Sequence, residues 1–214
     1  MTDVWLGAWT VATNAAIVPA IVYAWRVHAE DGAALFTILW VVSSLYHFCQ
    51  AGFWCVFRFE TLQRADHFFV YTAITWTVVY AAGLVYKHLS RWRNAVVYAV
   101  QAVLFPLLLQ YAHRWWFCVI VAATIVTVFT LAAVSVYRGA WPKFDVGALI
   151  IATALLAPGL AIFYIEGEPD TDTYPYTHGA WHVLAMLGIF FVLRIPNDRQ
   201  MYLRALRPLL PRQK

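Results

Sequence analysis

Apolar residues in this chain come in long unbroken runs, not in the strict alternation of a half-buried strand. Uncharged stretches cover residues 4–25, 32–57, 67–86, 94–112, 115–137, 146–165 and 173–193, with short polar links between them. A bilayer core about 30 Å thick takes roughly 20 apolar residues per helix, so each stretch is long enough to cross it. Backbone amides in lipid must bond within their own segment. That makes every run helical, even where β-branched residues crowd together as in 122–130. Pro19, Pro106 and Pro158 fall inside runs, where kinks are tolerated. The pattern predicts an all-α, polytopic membrane protein of seven transmembrane helices. Residues 1–195 form the transmembrane domain and 196–214 a basic cytosolic tail.

Composition agrees and narrows the class. The chain is 63% hydrophobic and only 12% charged, where a soluble domain carries roughly 25% charged residues. A mean hydropathy of +0.65 leaves no room for a disordered, collagen-like or nucleic-acid-binding reading. The implied partner is membrane lipid.

Charge sets the orientation. No Lys or Arg precedes the first run, so the basic region of a signal peptide is missing there. With residue 1 outside, twelve of the fifteen basic residues fall in cytosolic segments, and only Arg58, Arg64 and Arg114 lie outside. Positive charge favours the cytosol, so the N-terminus is expected outside and the C-terminus inside. The outer link with Glu166, Glu168, Asp170 and Asp172 reads as a solvated loop or a cation-attracting vestibule. The tail, with leucines set among arginines, reads as a strap on anionic lipid.

Ionisable groups inside a span are costly, so each is a functional candidate. His47 lies in the second run, four residues after Ser43, and His178 and His182 open the seventh. Asp66 stands at the outer lip of the third, beside His67. In the expected orientation these histidines converge on one leaflet, His47 roughly 8 Å below the surface by helix rise. Residues four apart share a helix face, which pairs Ser43 with His47 and His178 with His182. Three neutral imidazoles plus one open position suit a zinc ion that activates water. Asp66 then suits the base and Ser43 an oxyanion donor. The plainer alternative is helix packing, with histidine and serine bonding between helices. His67 points about 100° away from Asp66 around the helix and is left out of the ligand set. Cys49 and Cys55, near the outer end of the second span, suit either a short disulfide or buried thiols.

Ser43-x-x-x-His47, then Asp66, then His178-x-x-x-His182 on seven spans resembles the CREST superfamily of membrane hydrolases and receptors. "SSLYHFC", "ETLQRADHFFVYTAITWTVVY" and "THGAWHVLAML" are similar to its transmembrane protein 8 and myomaker branch, and the likeness covers roughly residues 33–193. The resemblance implies His47, His178 and His182 as zinc ligands, with Ser43 and Asp66 beside the bound water. It also implies one of two functions. The first is a zinc-dependent hydrolase acting on a lipid amide or ester through a metal-activated water. The second is a myomaker-like membrane-remodelling or cell-fusion protein in which zinc is structural. A haem held by paired histidines is a third possibility. Retinal chemistry is disfavoured, because the final span has no lysine for a Schiff base.

Overall fold

The computed structural model describes residues 4–85, 99, 103, 137, 145–165 and 173–195. Helix α1 (Val4–Thr13) passes through a 3₁₀ turn (Asn14–Ile17) into α2 (Val18–Arg26). Then come α3 (Glu30–Gln50), α4 (Phe59–Val85), α5 (Val146–Ile165) and α6 (Tyr174–Arg194). No strand occurs among the described residues.

Four helices among the described residues are long and apolar enough to cross a membrane: Gly7–Arg26, Glu30–Gln50, Val146–Ile165 and Tyr174–Arg194. The first is α1 and α2 read through the 3₁₀ turn. Pro19 sits in the first turn of α2 and has no N–H, so the preceding turn cannot close a regular α-helical ladder. At 27 residues, α4 is about 40 Å long by helix rise. Of the expected spans 94–112 and 115–137 only residues 99, 103 and 137 are described, and the acidic loop and the basic tail lie outside the described residues.

Two boundaries differ from the sequence pattern. The second uncharged run extends to residue 57, but α3 stops at Gln50. The chain turns at Gly52, whose φ of 78° favours glycine, and a Cys49–Cys55 disulfide closes the loop with its Cα atoms 4.5 Å apart. Helix α4, which carries the third run, begins at Phe59, ahead of the start of that run at residue 67. Asp66 therefore lies inside α4, buried, rather than at its lip. Hydropathy marks where charge stops, whereas the helix continues through Glu60 and Arg64 because their side chains are exposed.

Helix α6 holds the assembly together, packing against α5, α1, α2 and α4, while α3 lies between α2 and α4. Ile17, Ala20, Ala24, Phe36, Leu39, Trp76, Ile189 and Leu193 form the main core. Gly32 lets α3 approach α4 here. A Cβ in its place would run into the ring of Trp76. Trp76 also meets Phe36 edge-on at 5.5 Å and donates its indole N–H to Asp31 at 3.1 Å. Small residues at close helix crossings are what membrane packing selects.

Candidate metal centre

Three imidazoles meet inside the bundle, one from α3 and two from α6. The ring centroids of His47 and His178 lie 4.9 Å apart, those of His47 and His182 also 4.9 Å, and those of His178 and His182 4.6 Å. One ring nitrogen from each falls within 4.8 Å of the other two, close enough to hold a metal ion. All three side chains are buried, His47 to 1% exposure. Spacing on α6 explains its share: positions 178 and 182 stack on one face, and that face looks at α3.

Hydrogen bonds decide which nitrogen each ring offers. The Nδ1 of His47 lies 2.8 Å from Gln50 Oε1. With the Gln50 amide in this orientation its oxygen accepts, so Nδ1 carries the proton and Nε2 is left bare. That Nε2 is buried and has no hydrogen-bond partner among the described residues. His182 follows the same logic. Its Nδ1 lies 3.1 Å from Thr13 Oγ1, whose own proton goes to the Thr10 carbonyl at 2.8 Å. With that proton committed to Thr10, the imidazole donates from Nδ1 and its Nε2 carries no proton. Tyr174 stacks on His178 at 4.8 Å with 21° between the planes.

Beside the histidines runs a second polar chain. Ser43, one turn before His47 on α3, lies 3.2 Å from Asn14 Oδ1 and is also a hydrogen-bond partner of Asp66. Asn14, Ser43 and Asp66 are all buried. A hydroxyl has a single proton and cannot donate to both neighbours. Exchanging the amide atoms of Asn14 lets its Nδ2, otherwise buried without a partner, donate to Ser43, whose proton then goes to Asp66.

All five residues singled out from the sequence are thus buried in the bundle. His47, His178 and His182 form the cluster, and Ser43, one turn before His47, bonds Asp66. His67 is half-buried, its ring 6.3 Å from Tyr71, and is not one of the clustered histidines. His28 is exposed at the α2–α3 turn and faces Glu30 at 3.6 Å. Three further contributors, Thr13, Asn14 and Gln50, lie outside the set read from the sequence. For two of them a signal exists, since Thr13 and Asn14 are adjacent polar residues in the middle of an apolar run. Such residues inside a span demand partners.

The donor set fits a metal ion on two grounds: a bare, buried imidazole nitrogen, and neutral ligands converging from two helices. The nitrogen-only ligand type suits a transition-metal ion such as zinc, copper, iron or nickel rather than magnesium or calcium.

The chain belongs to the family described as "Protein of unknown function (DUF3522)", whose pattern matches residues 3–183. It is 26% identical to transmembrane protein 8B of Bos taurus over 201 residues, which is 88% of this chain and 41% of the bovine protein. The Homo sapiens transmembrane protein 8B is 26% identical over 192 residues, 85% of this chain and 39% of the human protein. The chain thus spans about two fifths of the length of these relatives. These relatives and the apolar helices make it an integral, multi-pass membrane protein.

Proposed function

We propose that this protein is a zinc-dependent membrane hydrolase that cleaves a lipid amide or ester. The convergence of His47, His178 and His182 carries the reading, with Ser43, the hydrogen-bond partner of Asp66, one turn before His47 on α3. A bound zinc would supply a Lewis acid that polarises a carbonyl and acidifies water. The protein's own groups supply the rest. Asp66 takes the proton from the attacking water, and its burial keeps bulk solvent from competing for that role. Ser43, held by Asn14, offers a hydroxyl to the oxyanion or to the carboxylate. Structural zinc is more often held by four protein ligands, and three strong donors gather here among the described residues.

The reading includes seven spans in a single domain over residues 1–195, followed by a cytosolic tail over 196–214, and membership of the CREST superfamily. It also places the N-terminus outside. The Cys49–Cys55 disulfide supports that orientation. It lies at the end of α3, on the side where the first span begins, and disulfides persist on the oxidising side of a membrane. A second reading has a specific observation behind it: the histidines tie α3 to α6, as a structural ion in a membrane-remodelling or fusion protein would.

The experiment is direct. Zinc-loaded protein in liposomes is incubated with ceramides and glycerophospholipids, and released fatty acid is measured by mass spectrometry. Release above that of the His182→Ala variant is the expected result. No release from any of them, together with fusion of cells expressing the protein, overturns the hydrolase reading.

A further inference from the structure

The first span, α1 with its 3₁₀ turn and α2, contributes no histidine, cysteine or carboxylate to the cluster, yet it reaches the cluster through Thr13. We propose that Thr13 and Gln50 are positioning residues: they lock His182 and His47 in the Nδ1–H form, so that both rings present unprotonated Nε2 atoms to one metal ion. The inference rests on the metal site proposed above and specifies how this chain prepares it.

Free imidazole exchanges its proton between two nitrogens and can rotate about its side-chain bonds. A ligand ring that does either loses aim. An acceptor at Nδ1 removes both freedoms, because the proton is held on the far nitrogen and the ring plane is fixed along that bond. Both acceptors are present. Gln50 offers its amide oxygen from the last turn of α3, one turn after His47. Thr13 offers its hydroxyl oxygen from α1, with its own proton committed to Thr10, and the Thr10 backbone is itself a hydrogen-bond partner of His182. The two acceptors come from different helices, so this arrangement is more than one local capping motif. Both are also uncharged. A carboxylate at that position would raise the basicity of the ring, whereas an amide or hydroxyl orients it and leaves the bound ion with its full positive charge.

Two measurements on the full-length protein test this. Zinc affinity is determined by chelator competition for wild type, Thr13→Val, Thr13→Ser and Gln50→Leu, with folding checked by thermal elution profile. Thr13→Val and Gln50→Leu should each weaken binding roughly 10–100-fold, while Thr13→Ser restores it. In metal-free protein, two-bond nitrogen–proton correlations should report Nδ1–H for His47 and His182, with the His182 signal becoming mixed in Thr13→Val. Should one variant fail to fold, the other still tests the claim from a separate helix. Folded Thr13→Val and Gln50→Leu that bind zinc as tightly as wild type overturn the positioning role and leave the site standing. Wild-type protein that takes up no zinc overturns the site itself.

Discussion

Asn14 and Ser43, 29 positions apart, meet at 3.2 Å and join the first span to the helix that carries His47. Asn14 is fully buried, so the contact has no water to replace it. Asn14→Leu, close in size and without hydrogen-bonding groups, should cost about 1–3 kcal/mol through the polar partner left behind. A lower melting temperature by size-exclusion in detergent is the check. A melting curve matching wild type would show that Ser43 needs no partner on the first span.

Close packing at Gly32 makes a separate prediction. The ring of Trp76 occupies the space a side chain would need, and the ring itself is held by Asp31 and Phe36. Gly32→Ala should therefore destabilise by about 1–3 kcal/mol, the usual range for overpacking. Gly32→Ala combined with Trp76→Phe should recover part of that loss, because the smaller ring vacates the contact. Non-additivity in a double-mutant cycle measures it.

Much of the bundle and its histidine cluster is legible in the sequence. Long uncharged runs specify helices in lipid, and the four-residue spacing of His178 and His182 alone puts them on one face. The ends of the helices are not legible in the same way. Hydropathy places the start of a span at His67, yet α4 begins at Phe59, since exposed Glu60 and Arg64 interrupt apolarity without interrupting the backbone ladder. Thr13, Asn14 and Gln50 stay hidden for a different reason. Thr13 and Asn14 announce only that they need partners, and which helix supplies them is not encoded by periodicity within one segment. Gln50, three residues after His47 on the same helix, sits at the helix end, where a polar residue is ordinary.

Topology can be read chemically. With the N-terminus outside, a tag placed after Lys214 should stain only in permeabilised cells. The Cys49–Cys55 disulfide should resist maleimide in intact cells until an impermeant reductant is added. Staining of the tag in intact cells would reverse the orientation and set the disulfide on the reducing side.

Metal content separates ligands from bystanders. Wild-type protein should carry about one zinc per chain by elemental analysis. His182→Ala removes one of three donors, and two imidazoles hold the ion too weakly to survive purification. His67→Ala, outside the cluster, should leave occupancy intact. Unchanged zinc in His182→Ala would remove that residue from the ligand set.

Asp66 distinguishes catalysis from scaffold. Buried and bonded to Ser43, it is not one of the three clustered donors, so Asp66→Asn should retain the metal. The amide keeps nearly the same shape and an acceptor for Ser43, but it cannot take a proton from water. If Asp66 is the general base, fatty-acid release should fall roughly 10²–10⁴-fold, equivalent to about 3–5 kcal/mol of barrier. A structural site predicts another pattern: surface level or melting temperature changes, and there is no hydrolysis to lose. Wild type and Asp66→Asn should therefore be compared in liposomes at matched zinc occupancy, on ceramides and on glycerophospholipids. Equal release by the two would take the proton away from Asp66 and require another base within reach of the site.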